Sequence, residues 1–524
     1  MRRRSETGVW WASPQVAAAI AIPPAVLAVF LVVHELTLHL ALDGVTFRQA
    51  GTNLASSIAL SRGQLPYHDF VLTQPPGMSV LLLPFAWVTH GGSAATAMSA
   101  ARVVTGLVSV ADVFLVGLTA RHHGIASTFI AGVLFATFPF AYLSTGSYML
   151  EPYLVFFCLL AYAAAFQQGE LVRGGRLVLA GAFIGYAIAI KPWAVVPAIV
   201  LIICAAIQWR QALVRVLGGL AIGIGVPCIL FFLAAPGAFW TDVVVSELGG
   251  GGHSTGSLST RISELLGLGA PIGITHPGSL ALGVAVVIAI LVVVAAVSRA
   301  STSTTQDWAI LGATIGLVAI GLLASQIPVA YTYLVAAFGA ILLGNTIGTI
   351  LSIVSSLSIS TSDMSSTVAG GFTILAVALM IGVVSVTVPK EAHFEEAYFI
   401  KHGTNPAAAI DSLVPNGACV VSNNPEALIL ANRFAQLPSG CTMLADPSGI
   451  EKAAGNPTLG VNNPTVVSQW DQVLRLARFV VIAPGNPPIP WSPLLRAFFA
   501  QNFQLVHNAP YRIFVSKTPT LPGS

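Results

Sequence analysis

Charged residues are few in this chain. Only 8% of its 524 residues are Asp, Glu, Lys or Arg, against 55% hydrophobic, and a composition this apolar cannot be wrapped around a water-soluble core. That excludes a soluble globular protein and leaves a polytopic α-helical membrane protein with the lipid bilayer as its first partner. The formal net charge of +3 is small for such a length and points away from nucleic acid. No repeat of about 20 to 50 residues is present, which excludes a solenoid. The C-terminal part has no Gly-rich phosphate loop, no nucleophile elbow and no metal-ligand spacing. Cysteine is sparse as well. Of the five, Cys158, Cys204 and Cys228 fall inside apolar runs and read as packing residues. Cys419 and Cys441 lie near the C-terminus, where a disulfide is open to distance alone.

What the chain has in abundance is apolar runs. They cover residues 17–40, 100–120, 125–144, 152–166, 177–190, 193–207, 216–235, 280–297, 309–324, 329–343 and 372–388. A spanning helix needs about 20 apolar residues, so several of these are short and about eleven transmembrane helices are expected. The first run is followed by no cleavage pattern and reads as a retained anchor.

Arg and Lys in short loops orient the spans. With Arg2, Arg3 and Arg4 in the cytoplasm, the loops holding Arg121, Arg173 with Arg176, Arg210 with Arg215, and Arg299 all fall on the cytoplasmic side. This holds only if the run Met78–Trp87, short for a span and interrupted by Pro84, lies in the interface or re-enters. The expected arrangement is a multi-pass cell-membrane protein with a cytoplasmic N-terminus. A transmembrane unit would occupy 1–388, with its first outer loop at 41–99, and a small extracytoplasmic α/β domain 389–524. In that domain "GACVVS" and "RFVVIAPG" read as buried strands, and "NPEALILANRF" and "SPLLRAFFAQNF" as helices.

The chemistry-bearing residues collect on the outer face. Asp43 follows the first run directly, where a carboxylate meets water and headgroups; it could take a proton, bind a divalent cation, or simply cap the helix expected at 46–60. Glu151 precedes Pro152 at a helix start, a position that capping alone explains. Lys191, in "AIAIKPWAV", is the only lysine between the N-terminus and Lys390. It could snorkel at the interface or hold a phosphate as a point charge. Arg48 and Arg62 are weaker candidates for the same anion. Tyr67, His68 and Asp69 form a turn ahead of Pro75 and Pro76, which leaves Gln74 placed to reach a substrate. His34, Glu35 and His39 share a helical spacing that suits either a metal or ordinary interface polarity. Glu247 and His253 lie in the Gly-rich fourth outer loop. Trp193, Trp240, Tyr331 and Tyr333 fit an interfacial aromatic belt.

Three of these stretches share a resemblance. The acidic start at Asp43 with its following helix, "GQLPYHDF", "QPPG" and an apolar interfacial run resemble the first external loop of GT-C polyprenyl-phosphate-sugar glycosyltransferases. That superfamily includes protein O-mannosyltransferases and lipid A aminoarabinose transferases. "TGSYMLEPYLVFF" is similar to the family's second outer loop, and "IKPW" to the site of its phosphate-binding lysine. The resemblance implies Asp43 and Glu151 as catalytic residues, and Lys191, Arg48, Arg62, Tyr67, Asp69, Gln74 and His253 as substrate-binding ones. It also implies a polyprenyl-phosphate-linked sugar as donor and an extracytoplasmic protein, glycan or lipid as acceptor, with inversion at the anomeric carbon. No cofactor follows with certainty, and a divalent cation is the one candidate. Two departures stand out: Gly44 replaces a second acidic residue, and Glu151 stands where relatives more often carry Asp. A transporter or flippase is the alternative, because embedded charges also mark substrate paths.

Overall fold

The structure, a computed structural model, describes residues 14–45, 48–246, 257–269, 274, 277–323, 331–359, 365–453, 463–484 and 489–517. Each of the eleven apolar runs is built around one helix, although the run 125–144 leaves its helix at Ala136 and continues into the short helix Tyr142–Thr145. Six are long and apolar enough to cross a membrane: Gln15–Leu36, Ala94–His123, Arg210–Ala234, Gly278–Ser298, Thr305–Leu323 and Thr332–Ile353. Four are shorter, namely Ile125–Ala136, Leu150–Ala165, Arg176–Ile190 and Pro192–Gln208. The eleventh lies in the helix Ser365–His402, which runs well beyond its apolar stretch. In a bilayer core no water is present to satisfy backbone N–H and C=O groups, so an apolar run has the helix as its one solution.

The run Met78–Trp87 forms two short helices, Gly77–Leu81 and Leu83–Val88, with Leu82 between them. At about 1.5 Å per residue the pair spans roughly 18 Å, against a hydrocarbon core of roughly 30 Å, so it cannot cross.

Small residues set how closely two of the helices approach. A Cβ on Gly181 or Gly185 would strike the carbonyl of Val216 or Leu220, and one on Gly219 or Gly223 would strike that of Val178 or Ala182. The helices Arg176–Ile190 and Arg210–Ala234 therefore pack backbone to backbone through a small-xxx-small stripe on each. Gly219→Leu is expected to force them apart and destabilise the protein by about 1–3 kcal/mol, seen as a lowered melting temperature; an unchanged melting temperature would refute the close contact. The contact matters for the site because the first of these helices ends at Lys191.

The C-terminal region carries a four-stranded sheet in the order Val420–Ser422, Phe479–Ile482, Arg512–Ser516, Phe503–His507. The first pair is parallel, with Val421 opposite Val480, and the other two pairs are antiparallel. Helices Pro425–Leu430 and Pro493–Asn502 lie where the sequence placed them. The hairpin from Phe503 to Ser516 was not foreseen, because its strands are mostly exposed or half-buried and carry only short apolar runs. Cys419 and Cys441 form a disulfide with Cα atoms 5.5 Å apart, and Cys158, Cys204 and Cys228 are free and buried.

Candidate active site

The first loop folds on itself before it reaches the membrane helices. Tyr67 adopts a left-handed backbone, φ 69°, donates from its hydroxyl to the Gln74 carbonyl at 2.6 Å and pairs its own N–H with the Phe70 carbonyl. Asp69 accepts from the Leu65 N–H at 2.6 Å and contacts His68 Nδ1 at 2.7 Å. Desolvation raises the Asp69 pKa, but the Leu65 N–H and His68 outweigh it and hold the carboxyl below its ordinary range. Tyr67 and Asp69 thus shape the loop.

Two further carboxylates grip the stretch that follows. Asp446 Oδ2 accepts from the Thr73 N–H at 3.2 Å and the Thr73 hydroxyl at 2.9 Å. Asp242, on the π-helical turn Trp240–Val245, is pushed up to about 6 by burial, with the Leu72 N–H opposing and Asp446 adding to the shift. At the end of this stretch Gly77 lies against the backbone of Ala189 and Ile190, where a Cβ would not fit, and its carbonyl accepts from the Tyr186 hydroxyl at 3.1 Å. The "QPPG" turn is thereby pinned beside Lys191.

Lys191 ends its helix in an extended conformation, φ −155° and ψ 132°, as expected of a residue preceding proline. Its side chain turns inward. Nζ lies 2.7 Å from Glu151 Oε1, with the two side chains 2% and 1% exposed, and 3.1 Å from the centroid of the Tyr331 ring. Trp193 packs edge-on against Tyr331, with ring centroids 5.0 Å apart. Among the described residues Glu151 Oε2, which is buried, has no hydrogen-bond partner. Glu151 is therefore an ion-pair partner, and the capping explanation leaves its inward orientation unaccounted for. The belt expected from the aromatics also needs correcting. Tyr331 covers the ammonium with Trp193 edge-on against it, and Tyr333 is buried against Phe135 at 4.9 Å. Trp240, 58% exposed, fits an interface.

Asp43 lies in the turn that follows the first helix, exposed to solvent; among the described residues no hydrogen bond or ion pair joins it to Glu151 or Lys191. Its carbonyl accepts from Asn405 Nδ2 at 2.7 Å, and Arg102 donates to the carbonyls of Ala41 and Gly44 on either side of it, both at 2.8 Å. The sequence reading passed over Arg102. The available signal was an arginine at the edge of an apolar run, where a charge needs a reason. Arg48 opens the helix Arg48–Ser61. Arg62, exposed just past that helix, takes no part in the Lys191–Glu151 contact. Glu247 and His253 fall outside the described residues.

His34, Glu35 and His39, whose spacing suited either a metal or interface polarity, do not group as a metal site among the described residues. Glu35 instead accepts from the Thr145 hydroxyl at 2.5 Å and lines a small pocket with Tyr333, Glu391 and Glu395. Burial pushes Glu395 up to about 8, with the Glu35 and Glu391 carboxyls and the Tyr333 hydroxyl lining the same space. A raised carboxyl favours the folded state below its unfolded value, and that contribution is lost as pH rises through the folded one. Glu395→Gln is therefore expected to raise the melting temperature at pH 8 and leave it unchanged at pH 4. A variant melting with the native protein at both would show that Glu395 titrates normally.

Among the described residues, the group with metal-binding spacing is His122, His123 and Asp307. Both Nε2 atoms reach Asp307 Oδ1, at 2.8 and 2.6 Å, while Arg299 lies 2.8 Å from His123 Nδ1. An arginine can only donate, so His123 Nδ1 accepts and its Nε2–H donates to Asp307. A metal on Nε2 would have to displace that proton and face the guanidinium charge across the ring. The group is a hydrogen-bonded lock between helix ends.

Residues 72–326, just under half of the chain, match the sequence model of glycosyltransferase family 87. ArnT of Cupriavidus metallidurans bound to undecaprenyl phosphate superposes with a TM-score of 0.57 at 13% identity, covering 98% of this chain and 100% of that one. The fold is that of such membrane glycosyltransferase structures, and residues 72–326 are similar to glycosyltransferase family 87. A second structure of the same fold, the Archaeoglobus fulgidus oligosaccharyltransferase, gives 0.54 at 12% identity over 90% of this chain and 69% of that one. At such identities the superpositions establish the fold, and the partial family match agrees with a glycosyltransferase. No curated protein sequence matches the chain. The transferase reading is thus favoured over a transporter.

Proposed function

We propose that this glycosyltransferase moves a sugar from a polyprenyl-phosphate donor to an extracytoplasmic acceptor with inversion. The observation that carries the reading is the buried Glu151–Lys191 pair, enclosed by Tyr331 and set beside the "QPPG" turn. A lone buried ammonium is a point-charge ligand for a phosphate monoanion, and the carboxylate beside it keeps the site neutral until the donor arrives. The ArnT structure of this fold holds undecaprenyl phosphate, and an archaeal oligosaccharyltransferase structure holds dolichol-phosphate.

In this mechanism the acceptor hydroxyl attacks the anomeric carbon from the face opposite the phosphate. Asp43 takes the hydroxyl proton, the bond from anomeric carbon to phosphate oxygen breaks, and its electron pair leaves with the phosphate, where Lys191 offsets the developing charge. Glu151, released from Lys191 as the phosphate arrives, offers its oxygens to sugar hydroxyls. Tyr67, Asp69 and Gln74 hold the loop over the donor, while Arg48, Arg62 and His253 remain secondary anion contacts. Catalysis lies in a transmembrane unit of residues 1–388 with its N-terminus in the cytoplasm, and 389–524 form an extracytoplasmic domain.

The test is transfer of labelled sugar from a panel of polyprenyl-phosphate, polyprenyl-diphosphate and nucleotide donors by the purified protein in source-cell membrane extract. Transfer from the monophosphate class alone is expected. Transfer from nucleotide sugars, or from no donor at all, would overturn the proposal.

A further inference from the structure

Glu426 enters from the C-terminal region on the helix Pro425–Leu430 and is completely buried. Its Oε1 accepts from Arg102 Nη2 at 2.9 Å and from the Tyr148 hydroxyl at 2.8 Å. Arg102, equally buried, gives further N–H groups to the Ala41 and Gly44 carbonyls, bracketing Asp43. Tyr148 stands three residues before Glu151, and its carbonyl accepts from Asn53 Nδ2 at 3.1 Å. Gly51, on the same helix as Asn53, has no room for a Cβ beside Glu426. A second tie runs parallel to this one: Val45 and Thr404 bridge as antiparallel partners, with the Val45 N–H 2.7 Å from the Thr404 carbonyl.

We propose that Glu426 is a positioning residue for the transferase. Through Arg102 it sets the turn bearing Asp43, and through Tyr148 it sets the start of the helix bearing Glu151, so the site is complete only with the C-terminal region docked. The inference rests on the roles given above to Asp43 and Glu151. The physical argument lies in how Arg102 is used. An ion pair serving only to dock two regions needs one bond between them. This guanidinium also holds two carbonyls of its own membrane-embedded part, and its rigid fork fixes the three acceptors relative to one another. The turn from Thr37 to Gly44 has no strand or helix ladder to fix it otherwise. Displacing a reacting group by about 1 Å costs up to about a hundredfold in rate.

The test replaces the pair by apolar side chains of similar volume, Arg102→Met with Glu426→Leu, which preserves burial while removing the bonds. Faster hydrogen exchange in peptides covering residues 38–45 is expected, with none in peptides covering 177–190. Turnover should fall about tenfold to a hundredfold at an unchanged donor KM, and Glu426→Gln, which keeps an acceptor for both donors, should restore most of it. Native exchange in the turn together with native turnover would overturn the proposal. If the double variant fails to fold, Tyr148→Phe decides: reduced turnover at constant KM supports positioning, and native turnover refutes it. The exchange experiment needs no activity, so a native protein that transfers no sugar would sink the functional reading while the positioning of the turn is still decided by exchange.

Discussion

Lys191→Met is expected to abolish sugar transfer and to lower stability by roughly 3–5 kcal/mol, the cost of leaving a buried carboxylate without its partner. Glu151 is 1% exposed and its second oxygen has no hydrogen-bond partner among the described residues, so little else nearby offsets the lost ammonium. The companion variant, Lys191→Met with Glu151→Leu, separates structure from function. Replacing a buried ion pair with packed apolar side chains is often neutral or stabilising, so thermal stability should return to about the native level. Transfer should not return, because no cation then meets the leaving phosphate. Melting curves and donor turnover on the three proteins settle the matter. Full activity in the stable double variant would reduce the pair to a packing device.

Asp43→Asn is expected to behave in the opposite way. The carboxylate is exposed, and the contacts that anchor its residue run through backbone, from Asn405 to its own carbonyl and from Arg102 to those of Ala41 and Gly44. An amide leaves all of these in place, so melting should be unchanged. Turnover should fall about a hundredfold to ten-thousandfold, the usual contribution of a positioned general base, with donor KM held. A variant as fast as the native enzyme would remove Asp43 from the chemistry and pass the base role to Glu151.

What the sequence offered of the candidate site was a set of residues to nominate. Lys191 stood out as a solitary lysine in an apolar context, and Glu151 as an acid at a helix start. That the two touch was not legible, because they come from different helices and their pairing depends on how those helices pack through Gly181 and Gly219. Tyr331 and Trp193 were read by type as belt aromatics, and only the position of Tyr331 over the ammonium, with Trp193 packed against it, shows another use. The triad of His122, His123 and Asp307 joins residues more than 180 positions apart, beyond the reach of any spacing rule.

The sequence alone determined that this is a helical membrane protein, because a long apolar run has a single way to satisfy its backbone in lipid. It also determined that the run at Met78–Trp87 is too short to cross. Tertiary structure decided everything that depends on contact between distant segments. It paired Glu151 with Lys191, set the Tyr331 ring over that ammonium, and joined Arg102 to a carboxylate 324 residues away. Buried charges are stable only with partners, and a sequence states that each needs one without saying which.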